Sequence, residues 1–406
     1  MDDARPVAPE RPDPLFTPVQ LVRIRLPNRI VRSATYEGLA DPDGVPLPGL
    51  AALYRELAAG GVGTIVTGFV FVSRAGRAMQ AAQCGMDEDG KIGPWREIVE
   101  AVRTASPETK LVMQIAHAGR QTRGERTGLP VVGASARACT YFRQRVRALD
   151  DAGIRASIAE FGDAARRARE AGFDGVEIHA AHGYLIHQFL SPWTNTRTDR
   201  WREPALFLEE VLRAVRERAG ADYPMLVKLS AADDNVPGVD VRRTAGTVNR
   251  LEALGVDAVV ISYGTMEYPL NIIRGAFPAA VALRVNPLLA RIPAPLRGLW
   301  RVLLMRKYGR RFIPFSPGYN VPLALEVAGS SSVPVIPVGG IRKAEDMRDL
   351  VARQGFAAVA LSRPLVREPD LPAKIRRGAS TVSQCTNCNL CTVHCDGPEP
   401  LRCRAL

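Results

Sequence analysis

The chain has 406 residues, 46% of them apolar, and a net charge of +12. That length admits two average domains or one large α/β barrel, and the apolar share suffices for a full core. No apolar run approaches the roughly eighteen residues of a membrane span, and the excess of positive charge is local, which speaks against a general nucleic-acid role.

The first residues, MDDARPVAPERPDP (1–14), lack apolar side chains in number and read as a disordered, Pro-rich leader. Short β-rich runs then alternate with helical stretches. They are RIVRSAT (29–35), TIVTGFVFV (64–72), LVMQIAH (111–117), GVEIHA (175–180), MLVKLSA (225–231), AVVISYG (258–264), VPVIPVGG (333–340) and AAVALSR (357–363). Helical spacing precedes most of them, as in Ile158, Phe161, Ala165 and Ala168. Near-continuous apolar strands between helices predict a parallel sheet covered on its outer face. Eight such units predict an α/β fold of the (β/α)₈ TIM-barrel type over residues 15–375. A doubly wound sheet is the alternative, but no G-x-G-x-x-G follows the first strand.

A barrel puts its chemistry at the C-terminal ends of its strands. Ala34-Thr35-Tyr36, Gly68, Gln114, His117, His179, His182, Lys228, Gly339-Gly340 and Ser362-Arg363 all fall there. Polar groups late in apolar strands are costly unless used or paired. His179, His182 and Tyr184 crowd beyond the fourth strand, where two imidazoles and a phenol can bind an oxygen and deliver a proton. Gly339, Gly340, Ser362 and Arg363 close strands seven and eight, the usual phosphate end of this fold. A phosphorylated cofactor or substrate is expected there. His179-x-x-His182 also permits a metal-dependent barrel hydrolase, but no carboxylate partner set accompanies it.

Between strands six and seven the chain runs almost seventy residues, an insert at about 266–322. Tyr268 to Leu325 contains no acidic residue and nine basic ones, so much of the net charge is gathered there. Leu296, Leu299, Trp300, Leu303 and Leu304 recur at helical spacing. A helical cap packed on the barrel rim is expected. A lid for an acidic substrate moiety such as CoA phosphates, or a contact with an anionic membrane surface, is the sharper alternative.

Five of the seven cysteines lie in the last 22 residues, in a tail at 380–406. Such crowding reads as a ligand set in a reducing compartment, the cytoplasm, rather than a disulfide framework. Cys385, Cys388, Cys391 and Cys395 have ferredoxin-like spacing, Cys403 as the last ligand gives C-x2-C-x2-C-x11-C, and of these two Cys395 is the rival fourth ligand. Four thiolates also suit zinc, and unliganded thiols remain a third reading.

The pieces NRIVRSAT, GVGTIVTGFVFVSRAGR, QIAHAGRQ, HAAHGYLIHQFLSPWTNTRTD and VGGI with SRPLV resemble the Old Yellow Enzyme family of FMN-dependent ene-reductases. The cysteine tail resembles the 2,4-dienoyl-CoA reductase-like branch. The resemblance implies FMN across the strand ends and NAD(P)H as co-substrate. Hydride would pass to an electron-poor C=C bond of a small-molecule alkene, an enone or enoyl/dienoyl-type substrate. It implies that Ser33, Ala34 and Thr35 pass along the flavin, that Gly68 and Gln114 meet its ring, and that Lys228 is the cation near N1. Gly339, Gly340, Ser362 and Arg363 would hold the phosphate. His179 and His182 would bind the activating oxygen, and Tyr184 would donate the proton. The long gap before the last cysteine in that branch favours Cys403 over Cys395 for a [4Fe–4S] cluster, which would trade electrons with a partner protein or second flavin. Tyr36 stands where the family has a flavin-tuning Thr or Cys, Gly68 where Ala is usual and Lys228 where Arg is frequent. A flavoprotein that only relays electrons is the non-catalytic alternative, and homo-oligomerisation is left open.

Overall fold

β-Branched and aliphatic residues dominate the predicted strands, and every residue of most of them is buried. A computed structural model describes residues 12–405, the side chains at 304, 305, 307, 308 and 310 apart. The barrel strands are β1 Ile30–Arg32, β2 Thr64–Val66, β3 Lys110–Ala116, β4 Gly175–Ala180, β5 Met225–Ser230, β6 Ala258–Ser262, β7 Val335–Pro337 and β8 Val359–Leu361. Each pairs in parallel with its sequence neighbour from β1 to β7, and β8 returns to β1 through Ala360 and Val31. A bridge between Val338 and Ala360 joins β7 to β8 and closes the ring. The fold is a (β/α)₈ barrel.

Eight helices lie in the connections around it: α1 Pro48–Ala59, α2 Ile92–Ala105, α3 Asp151–Glu170, α4 Leu206–Ala219, α5 Val241–Glu252, α6 Val321–Ala328, α7 Ala344–Ala352 and α8 Leu371–Arg376. Their apolar stripes face the sheet, as in Trp95, Ile98, Val99 and Val102 of α2. Asp150 and Asp240 cap α3 and α5 by accepting from the backbone N–H three residues on.

Two features depart from the sequence reading. The run 64–72 is not one strand. After Val66 it leaves register and resumes at Val70, which pairs with Ile115. Four residues on this chain oppose three on β3, a bulge in which Thr67 N–H still bonds the Val112 carbonyl while Gly68 and Phe69 leave the ladder. An antiparallel hairpin, Val19–Gln20 with Arg25–Leu26, was not foreseen. Its Leu21, Ile24 and Leu26 plug the barrel floor against Val31, Val66, Val112, Leu226 and Ile336.

The insert holds helices Pro269–Ile273, Ala279–Val285 and Arg297–Tyr308. The expectation that its amphipathic helix packs as a rim cap is corrected. Leu296, Leu299, Trp300 and Leu303 are exposed. The tail instead does the packing. Its helix Leu390–His394 lies on the insert helix Ala279–Val285. The adjacent Asp396 is half-buried and accepts from Gln80 Nε2 at 2.9 Å and Asn286 Nδ2 at 2.6 Å. Burial pushes that carboxyl up to about 6. Residues 1–11, most of the expected leader, lie outside the described residues. Asp13 accepts from Leu15 N and meets Arg348 at 2.7 Å. No described helix is long and apolar enough to cross a membrane.

Candidate active site

The strand ends converge on a cavity of about 240 Å³. Ser33, Ala34, Thr35 and Tyr36 line it from beyond β1, Lys228 from β5, Ser262 from β6, Gly339 and Gly340 from beyond β7, and Ser362 and Arg363 from beyond β8. His182 reaches it from the loop after β4. Thr35 Oγ1 and Ser362 Oγ are 2.8 Å apart, which ties the first and last strands together at this rim.

The glycine pair has φ of +131° and +76°, a backbone that side chains rarely adopt. A Cβ on Gly339 would meet the Tyr319 ring at 2.7 Å, and one on Gly340 would meet Gly318 N at 2.8 Å. Glycine is therefore required by the close approach of the segment Gly318 to Asn320, and the pair borders the cavity. Asn320 Oδ1 and Arg342 Nε are buried without a partner among the described residues, and both side chains border the cavity. Arg363 donates to the Arg274 carbonyl at 3.0 Å, which ties the phosphate end to the insert. Three cations, Lys228, Arg342 and Arg363, thus face one cavity with a glycine cradle. This donor set suits an anionic, phosphate-bearing cofactor.

Lys228 Nζ donates to Ser33 Oγ at 3.1 Å and to Glu177 Oε1 at 3.2 Å. Glu177 also accepts from Gln114 Nε2. Gln114 thus faces Glu177 rather than the cavity wall. Gly68 stands behind that wall too. Its N–H donates to Glu37 Oε1 at 2.8 Å, and a Cβ there would lie 2.2 Å from Glu37 Oε2. That contact is the reason glycine, not alanine, occupies position 68.

His182 has φ of +60°, and its backbone N–H is held by Ser230 Oγ at 3.0 Å. Its Nε2 lies 2.8 Å from Ser262 Oγ and its Nδ1 lies 3.3 Å from His179 Nε2. His179 and Tyr184 stand behind it, their rings edge-on with centroids 4.7 Å apart. Burial, then the Lys228 charge, pushes His182 down to about 3, and burial holds His179 well below its usual value. Both imidazoles are neutral near pH 7, each with an N–H to donate. Burial, then the Asp396 charge, raises Tyr184, which keeps its phenolic proton.

A sequence profile of the NADH:flavin oxidoreductase / NADH oxidase family matches residues 14–286. The chain belongs to this family. It is similar to the NADH oxidase of Thermoanaerobacter brockii, 32% identical over 382 residues, which are 93% of this chain and 53% of that one. It thus spans about half the length of the curated relatives it matches first. A 2-naphthoyl-CoA reductase in complex with 2-naphthoyl-CoA superposes with a TM-score of 0.80 at 24% identity, over 96% of this chain and 56% of that one. The Old Yellow Enzyme homologue of Zymomonas mobilis superposes at 0.70 and 22% identity, over 95% and 99%.

In this flavin oxidoreductase family member the tail adds a wall to the site. Cys391, Cys395 and Leu401 line the main cavity. A second cavity of about 60 Å³ is bordered by Cys385, Cys388, Cys391 and Cys403, with Arg363 and Arg367. Cys395 does not border it. No group of three His, Cys, Asp or Glu among the described residues is placed to hold a single metal ion. The thiols ring a space instead of meeting at a point. Tetrahedral zinc would need its sulfurs about 3.8 Å apart, given Zn–S bonds near 2.3 Å. A cluster with irons and sulfides of its own spreads its thiolates more widely. Four thiols around one small space are a donor set that suits a cluster.

Sequence reasoning missed Glu177, Asn320, Arg342 and Ser262. Glu177 carried a signal, a carboxylate inside an otherwise apolar strand. Asn320 and Arg342 carried none, because only the folded barrel brings them to the rim.

Proposed function

We propose that the chain is an FMN-dependent oxidoreductase, an ene-reductase, that moves hydride from NAD(P)H to an electron-poor C=C bond. The observation that carries the reading is the cavity rim, where Lys228, Arg342, Arg363 and the Gly339-Gly340 cradle face one space beside His182. Ser33, Ala34, Thr35, Gly339, Gly340, Ser362 and Arg363 would hold FMN, with Gly68 and Gln114 supporting the wall. When bound, FMN supplies a two-electron store that can be filled by NAD(P)H and emptied into an alkene.

The chain's own residues do the rest. His179 and His182 would turn their N–H groups, which now meet each other and Ser262, to a carbonyl or nitro oxygen, which draws electron density from the alkene. Tyr184, held as a phenol, gives a proton to the carbon that does not take hydride. Lys228 places a positive charge by the cofactor and balances it against Glu177 when negative charge is absent. A thioester is a fitting carrier of the activating carbonyl, since the similar 2-naphthoyl-CoA reductase was captured with an acyl-CoA. Four thiols around one small space support a [4Fe–4S] cluster on Cys385, Cys388, Cys391 and Cys403. Seven unpaired cysteines support a reducing compartment, the cytoplasm.

An anaerobic absorbance spectrum of the purified protein, then NADPH and cyclohexenone in turn, tests the reading. Flavin bands should bleach with NADPH and return with the enone. Bands that bleach but return only with oxygen or an electron acceptor would leave an electron relay, and a protein that takes up no flavin would end the proposal.

A further inference from the structure

The insert helix Arg297–Tyr308 leaves its described apolar side chains in solvent. Leu299 is 60% exposed, Val302 57% and Trp300 43%, with Leu296 and Leu303 beside them. Exposing one such side chain is ordinary, but gathering four on one short helix, with Leu296 just before it, marks an interaction surface. Basic residues flank them. Arg301 and Arg306 are exposed, and together with Phe277, Pro278, Val281 and Val302 they border an open groove. Among the described side chains of the insert, Arg291 meets a carboxylate, Glu125 at 3.8 Å, whereas Arg301 and Arg306 meet none. The chain from Tyr268 to Leu325 offers no acidic residue to neutralise them.

We propose that this face docks the protein on an anionic membrane surface, with Leu296, Leu299, Trp300 and Leu303 entering the headgroup boundary and Arg301 and Arg306 pairing with lipid phosphates. Charge decides between occupants. A second copy of the chain meeting this face through a two-fold axis would set basic residues against basic residues. A soluble acidic ligand would satisfy the arginines but leave Trp300 and Leu299 in water. An anionic bilayer satisfies both sets, and a tryptophan is at home at its interface. The helix has twelve residues, about 18 Å, so it lies in the surface and does not cross it. The same insert supplies Ile272 and Ile273 to the catalytic cavity, so docking would bring the site close to the bilayer. The proposal stands independently of what that cavity reduces.

The test is co-sedimentation of the purified full chain with vesicles of phosphatidylcholine alone and of phosphatidylcholine mixed with phosphatidylglycerol. The protein should pellet with the mixed vesicles, stay in solution with the neutral ones and be released by high salt. The double variant Arg301→Gln, Arg306→Gln should bind about 30-fold more weakly, at about five-fold per charge. The variant Leu299→Ser, Trp300→Ser should lose binding at unchanged circular dichroism. Equal binding to both vesicle types, or binding untouched by these exposed-site variants, overturns the proposal. So does a chain that ignores vesicles but binds free CoA, or self-associates, in a manner these variants abolish.

Discussion

Glu177 on β4 and Lys228 on β5 meet at 3.2 Å under the cavity, both fully buried. One Glu177 oxygen receives Lys228 and Gln114, and the other has no partner among the described residues. Removing one member of a buried pair strands the other charge and costs about 3–5 kcal/mol. Glu177→Gln and Lys228→Met should each lower stability by about that much. The double variant should cost clearly less than their sum, because no charge is left stranded. Urea unfolding of the three variants measures it. Additive losses would show that the two residues do not act as a pair.

Burial gives the protein a defined acid sensitivity. His117 is pushed down to about 4 and His182 to about 3, and His179 is held well below its usual value. The unfolded chain takes up these protons near pH 6.5, whereas the folded chain refuses them. Their stabilising contribution is therefore complete above pH 6.5 and falls away as pH drops toward 4. It amounts to roughly 3 kcal/mol for His117. Asp396 works in the opposite sense. Its carboxyl is raised to about 6, so the folded state takes that proton first, and stability rises as pH falls from 6 toward 3.8. Three histidines against one carboxyl leave a net loss below pH 6. Urea midpoints should fall from pH 7 to pH 5, and Asp396→Asn should steepen the fall. A flat profile would mean that the imidazoles are already charged in the folded state.

Tyr184 separates the two halves of the proposed reaction. Its phenol packs on His179, away from the phosphate-facing wall of the cavity. Tyr184→Phe should leave reduction of the flavin by NADPH unchanged. Reoxidation by an enone should slow by about 10²–10⁴-fold, the usual worth of a positioned acid. Stopped-flow measurement of each half-reaction reads the two effects apart. An unchanged reoxidation rate would move the proton donor to another group.

Much of this site was legible before folding because parallel strands are buried on both faces. They print as unbroken apolar runs, and polar residues at their ends stand out. Lys228, His182, Ser362 and Arg363 were found in that way, and all reach one cavity. The floor hairpin was not, since strands of two residues leave no period to read. In the break after Val66, Gly68 is held by Glu37 across 31 positions of sequence, which no local pattern announces. The spacing of Leu299 and Trp300 predicted a helix correctly, but spacing carries no information about what a face meets.

The fourth ligand of the tail was open in the sequence, and the two candidate thiols now occupy different surroundings. Cys403 borders the small cavity with Cys385, Cys388 and Cys391, and its sulfur lies 3.8 Å from Arg367 Nη1. Cys395 turns to the main cavity beside Tyr36, and its thiol is strongly raised by burial and by the neighbouring Asp396. A metal ligand must be a thiolate. Cys403 shares the small space with the three other candidate ligands, whereas Cys395 does not border it. Anaerobically purified Cys403→Ser should therefore lose most of its iron and sulfide, and Cys395→Ser should keep both. Retention of flavin by both variants would show that the barrel is intact. Iron lost from Cys395→Ser and kept in Cys403→Ser would reverse the assignment, and iron absent from the unmodified protein would remove the cluster.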